Sequence, residues 1–268
     1  MTASVAQACR GVLSTASPRA KVMAARETAR LWRRGLLRHD FDVPMPARPV
    51  RPDDPILLPP NRMPKRGRAG SERSRIALLH ALAHIEFGAI DLAFDMAGRF
   101  GAGFPRSFID DWLSVGADEA LHFALLDRRL RVLGSHYGAL PAHDGLWEAA
   151  AETAHDAGAR LAVVPMVLEA RGLDVTPATL ASFERAGDPR SAAILGRIYH
   201  DEIHHVSIGT AWFKSWCESR NLAAAPEWQR LIRLHFRGAV KPPFNDSARG
   251  QAGLSRDFYG GVAPGGGA

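Results

Sequence analysis

Two stretches of the chain have residue types and spacing suited to chemistry: Asp118-Glu119-Ala120-Leu121-His122 and Asp201-Glu202-Ile203-His204-His205. Each holds Glu-x-x-His behind an aspartate. Residues three apart share a helix face, so Glu119 and His122 can reach one metal ion, and Glu202 and His205 a second. Glu86 and Glu169, one on each of two further helical stretches, bring the set to four carboxylates and two imidazoles. Hard oxygen donors hold the higher oxidation states of iron or manganese, and an imidazole anchors each ion. The expected cofactor is therefore two iron ions, with manganese an alternative at one or both positions. The order Glu, Glu-x-x-His, Glu, Glu-x-x-His is that of a carboxylate-bridged di-metal site inside a four-helix bundle.

The motif alone does not decide the matter, because Glu152-Thr153-Ala154-His155 is a third copy. No aspartate precedes Glu152, and it reads with His155 as an ordinary helix pair. In the other two copies Asp118 and Asp201 can each take the free ring N–H of a ligand histidine, that of the opposite motif, and fix its tautomer. His80 and His84 are rotated away from Glu86 and are expected to be interhelix hydrogen-bond partners. His200 and His204 point away from the Glu202 face. Tyr199, one turn before Glu202, is a candidate hydrogen-bond donor or redox relay, with a plain core tyrosine as the alternative. Glu86, Glu169 and Tyr199 are thus the catalytic candidates.

Four long helices must position these groups. Ser71 caps a stretch running to about Arg99, in which Leu79, Leu82, Ala83, Glu86, Ala89, Ile90 and Ala93 share one face and Asp91 and Asp95 lie off it. A glutamate amid an apolar face is costly unless paired or bound to metal. A second pattern spans about Pro105 to Leu133, with Trp112, Val115, Glu119, His122, Leu126 and Arg129 inward. A third spans Gly145 to Arg171, with Pro165 one turn before Glu169. A short piece follows over Pro177–Arg185. The fourth helix starts at Asp188-Pro189 and ends near Arg220. The second and third helices of the expected bundle run parallel. Gly145–Glu169 as one helix rises ~36 Å, about the full reach of the eleven-residue connector before it, so a break near Gly158 is expected.

Outside these helices, residues 1–17 show no clear period and are expected to be loose, and Lys21–Leu37 reads as an amphipathic helix. Eight prolines between Pro44 and Pro64 force an extended course, as a linker or as a strap on the bundle with Ile56, Leu57 and Leu58 packed beneath it. A short helix is expected near Pro226–Phe236, and the glycine-rich end has no order of its own. The domain plan is 1–70 for the N-terminal helix and strap, 71–220 for the bundle and 221–268 for the short helix and tail.

With Lys+Arg 34 against Asp+Glu 28, the net charge of +6 permits an anionic partner without requiring one. Arg62, Lys65, Arg66, Arg68, Arg73 and Arg75 form the densest basic cluster, suited to a phosphate-bearing substrate or to a solvated turn. Two cysteines, Cys9 and Cys217, with no CxxC exclude a disulfide scaffold, structural zinc and a rubredoxin-type iron centre. No apolar run approaches the eighteen or so residues of a membrane span, so a soluble cytoplasmic protein without a membrane partner is expected.

The stretches "LLHALAHIEFGAIDLAFD", "ADEALHFALLDRRL", "YGALPAHDGLWE", "EARGLDVTP" and "IYHDEIHHVSIG" resemble those of an uncharacterised ferritin-like family, over about residues 44–220. The resemblance implies an all-α, ferritin-like four-helix bundle and a di-iron centre at Glu86, Glu119, His122, Glu169, Glu202 and His205. It supplies no activity. Glu169-Ala170-Arg171 is also similar to a helix of the tRNA-modifying di-iron hydroxylases. Ribonucleotide reductase small subunits carry a radical tyrosine where this chain has Leu126, and rubrerythrins need cysteines that this chain lacks. Iron-storage ferritins have no proline-rich leader of this length. The leading expectation is an O2-dependent hydroxylase or oxygenase. Its partners would be O2, an unidentified substrate (nucleic acid among the candidates) and an external electron donor, because no flavin or nicotinamide motif is visible. Ferroxidase, peroxide or iron handling is the first alternative and a metal-dependent structural protein the second. A homodimer is left open.

Overall fold

Ser4 opens the first helix. Its hydroxyl accepts from Gln7 N at 3.0 Å while the Gln7 side chain accepts from Ser4 N at 3.1 Å, a reciprocal cap for two donors that a helix start leaves over. The resulting α1 (Val5–Leu13) buries Val5, Ala6, Cys9, Val12 and Leu13 on one face. The start of the chain, expected to be loose, is therefore core, carried by a helical period only nine residues long. The computed structural model describes residues 2–64, 67 and 69–263. Among them the fold is all-α, with two isolated bridges and no strands. Contacts divide the chain into two units, Met1–Trp147 and Glu148–Ala268.

In the first unit, α2 (Pro18–Arg33) begins at the Ser17 cap with proline in its first turn, α3 spans Glu72–Phe100 behind the Ser71 cap, and α4 spans Arg106–Val132. α3 packs against α4 and α1, and α2 packs against α4. The two long helices approach closely at Gly116, where a Cβ would lie 2.5 Å from the Phe94 ring. From Glu86 to Gly98 every residue of α3 is buried, the signature of a helix enclosed on all sides. Asp91 and Asp95, off the Glu86 face as expected, are thus fully buried too. The same enclosure corrects the expectation on apolar runs: Glu72–Gly103 is long and apolar enough to cross a membrane by length and composition, yet it is the core helix of this unit.

The proline-rich segment is a strap, held by its backbone and not by the apolar side chains expected beneath it. Ile56 is 64% exposed and Leu57 40%. Instead Val50 N donates to Leu13 O at 2.8 Å, Trp147 Nε1 to Ala47 O at 3.2 Å, Arg99 Nη2 to Pro46 O at 2.7 Å and Leu58 N to Ala142 O at 2.8 Å. A buried ion network adds to this. Lys21 Nζ meets Asp91 Oδ1 at 2.5 Å, and Arg51 of the strap meets Asp91 Oδ2 at 2.9 Å. Burial lowers the Lys21 pKa and raises that of Asp91, and their mutual attraction works against both shifts.

His80 and His84, expected to bridge helices, bind the connector after α4. His80 Nε2 accepts from Gly138 N at 3.0 Å. His84 Nε2 lies 3.1 Å from the His143 carbonyl, which can only accept, so the ring proton sits there and Nδ1 accepts from the Tyr137 hydroxyl at 2.9 Å. Burial pulls the His84 pKa down to about 4 and keeps the ring neutral.

The stretch after the connector is broken, as the length argument requires, at Thr153–Asp156 rather than at Gly158. α5 (Gly145–Glu152) ends there, and the buried Arg160 closes it by donating to Ala150 O and Thr153 Oγ1. The third motif copy is accordingly no helix pair: Glu152 pairs with Arg237 at 2.7 Å, and the His155 ring faces His235. α6 (Ala157–Val163), capped by Asp156, leads into a π-helical segment, Val164–Glu169. α7 (Ala170–Arg185) then continues through Gly172 and Pro177, where an end had been expected. α8 (Pro189–Glu218) and α9 (Ala224–His235) match the expected helices closely. Two short helices, α10 (Asp246–Gln251) and α11 (Arg256–Tyr259), were not foreseen. The glycine-rich end from 264 onward lies outside the described residues.

Asp91→Ala would leave Lys21 and Arg51 without their buried counter-charge, and urea unfolding is expected to show a loss of about 3–5 kcal/mol. Lys21→Met leaves Asp91 on Arg51 and should cost clearly less.

Candidate metal centre

Glu86 projects from the enclosed part of α3, and Glu119 and His122 from the facing side of α4. The three are 4%, 1% and 0% exposed. Their i, i+3 spacing on α4 and the close crossing of the helices bring the donors together. His122 Nδ1 lies 3.2 Å from Glu119 Oε2 and 3.4 Å from Glu86 Oε2. Two carboxylates thus share one imidazole nitrogen in an apolar interior. Burial, followed by the nearby charge of Glu119, pushes the Glu86 carboxyl well above the usual carboxylate range. Burial alone would lower the His122 pKa, but its hydrogen bonds to Glu119 and Glu86 outweigh this and push it up to about 11. Such a cluster holds protons where a cation would otherwise balance the charge. The donor set of two hard oxygen ligands and one imidazole fits iron or manganese.

The second unit holds the other Glu-x-x-His motif and Glu169. Glu202 and His205 share a face of α8, with His205 Nδ1 3.5 Å from Glu202 Oε1, the histidine fully buried and the glutamate side chain 12% exposed. Glu169 closes the π segment. Pro165 has no N–H to give the carbonyl four residues back, and the helix widens over the next turn until Ala170 N reaches Pro165 O five residues behind it. The proline thus produces a pitch change at Glu169. Gly209, one turn beyond His205, lets α8 lie against this segment: a Cβ there would be 2.3 Å from the Pro165 Cβ. Wide turns of this kind occur often at functional sites.

The remaining candidates take distinct places. Asp201 accepts from Arg197 Nε at 2.6 Å. Asp118 is half-buried on α4 and lines a groove of about 340 Å³ with Trp32, Arg33, Leu113 and Leu121. The Tyr199 hydroxyl accepts from Asn245 Nδ2 at 2.9 Å. The groups that the Asn245 amide N–H donors reach lie more than forty residues away in sequence, so nothing local pointed to them. Of the basic cluster, Lys65, Arg66 and Arg68 lie outside the described residues.

Comparison with known proteins adds two findings. The model of a family described as "Protein of unknown function (DUF455)" matches residues 14–260. An uncharacterized protein of Haemophilus influenzae is 42% identical over 211 residues, covering 76% of this chain and 73% of that protein. No solved structure matches.

With the His122 pKa pushed up to about 11 by its bonds to Glu119 and Glu86, divalent metal uptake at this cluster at pH 7 should release about one proton. Calorimetry in buffers of different ionisation enthalpy reads this directly, and affinity should fall as the pH is lowered.

Proposed function

The chain belongs to the family described as "Protein of unknown function (DUF455)", and we propose that it is a di-iron carboxylate oxidoreductase, an O2-dependent hydroxylase or oxygenase on a ferritin-like four-helix bundle. One observation carries the reading: Glu86 is buried against a second carboxylate and an imidazole, an arrangement that repels itself unless protons or a metal ion occupy it. Glu169, Glu202 and His205 supply the second half of the ligand set.

When bound, an iron pair supplies O2 activation and the oxidation of a substrate C–H bond. The chain's residues set the conditions for this. Glu86 and Glu169, each without a histidine in its own motif, would hold the ions through carboxylate oxygens alone. Burial of Glu86, Glu119 and His122 themselves keeps bulk water from the first cluster. Electrons would come from a separate donor protein. The substrate class to try first is nucleic acid, on the strength of the basic leader that includes Arg62, Arg73 and Arg75.

Elemental analysis after anaerobic Fe(II) loading should give about two irons per chain, with an optical change on adding O2, and Glu202→Ala and His122→Ala should each lose at least one ion. Unlimited iron uptake would instead identify an iron-handling protein, and metal without an optical change a structural one. If the chain takes up no metal and Glu202→Ala alters neither metal content nor stability, the metal reading fails.

A further inference from the structure

Pro177 lies inside α7 without breaking it. A proline in a helix interior offers no N–H to the carbonyl four residues back, here that of Leu173, and its ring crowds that carbonyl. The missing donor comes from the C-terminal segment. Asn245 Nδ2 donates to Leu173 O at 3.2 Å, and the same nitrogen donates to Tyr199 Oη at 2.9 Å. A side-chain amide carries two N–H donors, so this one group fills both bonds.

The two acceptors are placed to matter. Leu173 is one turn after Glu169 on α7, and Tyr199 is three residues before Glu202 on α8. Asn245 therefore links the two ligand-bearing elements, each within a turn of its ligand. The amide is itself fixed. Asn245 N donates to Asp174 Oδ1 at 2.9 Å, and Asn245 Oδ1 accepts from Ala248 N at 3.2 Å as the cap of α10. Asp174, 8% exposed, is gripped by Arg249 through Nε and Nη2, both at 2.8 Å. The Arg249 guanidinium, 2% exposed, lies over Phe244 at 5.1 Å and Tyr259 at 4.6 Å.

We propose that Asn245 is a positioning residue that ties α7 to α8 and so sets Glu169 against Glu202 and His205 for metal binding. This rests on the di-iron reading above. It also explains why Pro177 is tolerated: the proline releases a carbonyl that the C-terminal segment then uses as its anchor.

The test is anaerobic titration of the full chain with Fe(II) alone, with hydrogen exchange followed in the peptides covering 164–173. Asn245→Ser keeps a side-chain oxygen for the α10 cap but has no amide for either acceptor. It should weaken one of the two ions by about 10–100-fold and speed exchange in the π segment, with an unchanged helical circular dichroism spectrum. Pro177→Ala restores a backbone N–H to Leu173 but no link to Tyr199, so Asn245→Ser/Pro177→Ala should stay weak in iron binding, whereas a lesion due only to an unpaired Leu173 carbonyl would be repaired. Tyr199→Phe, which keeps the Leu173 bond, should lose part of the affinity and serves if Asn245→Ser does not fold. An Asn245→Ser chain that binds iron like the wild type overturns the tie, as does a double variant restored to wild-type affinity. A wild-type chain that takes up no iron refutes the di-iron reading beneath it, an outcome distinct from both.

Discussion

A carboxylate buried in a helical core must have its charge answered, and the rest of this structure is arranged around the three that α3 carries. Asp91 is answered by Lys21 and Arg51, and Asp95 by Arg99, whose Nη2 lies 2.7 Å from it. Two of these, Arg51 and Arg99, are permanent cations, and the pairing makes the two aspartates structural. Glu86 differs: its neighbours are Glu119, a further acid, and His122, a group whose charge depends on a proton. One helix thus contains both solutions, and the contrast separates a structural buried acid from one suited to a metal. A reading of Glu86 as one more satisfied core acid has to explain why its partner is another carboxylate.

Meeting that constraint shapes the first unit. Lys21 fixes α2 against α3, and Arg51 adds an ion pair to a proline-rich strap that its backbone hydrogen bonds already hold. Each ion pair therefore closes a tertiary contact as well as neutralising a charge. In the second unit the ruling condition is backbone pairing. Pro165 and Pro177 each remove a helical donor, on either side of Glu169. The first change is absorbed as a π turn and the second by a side-chain amide from the far end of the chain.

The long helices could be read from the sequence because caps and a 3.6-residue period act locally: Ser71, Asp188 and Pro189 mark starts where the structure has them. The convergence of Glu86 with Glu119 and His122 was legible because a charged residue on an apolar face is costly. What escaped was non-local or balanced between competing effects. α1 is too short for its period to stand out. Whether Pro177 ends a helix depends on a donor supplied by Asn245, and nothing near Pro177 announces it. Ile56 and Leu57 promised burial, yet the strap is fixed by carbonyls that carry no side-chain signal. The Glu152–His155 copy was rightly set apart, but the helix between them ends because Arg160 closes it, a contact made eight residues later.

The central claim is that the two Glu-plus-Glu-x-x-His sets each hold a metal ion. Crystals of the chain grown after anaerobic Fe(II) loading, with diffraction recorded on both sides of the iron absorption edge, test it most directly. Two anomalous peaks per chain are expected, one beside His122, Glu86 and Glu119, the other beside His205, Glu169 and Glu202. Ordered side chains at all six positions with no anomalous density beside them would contradict it.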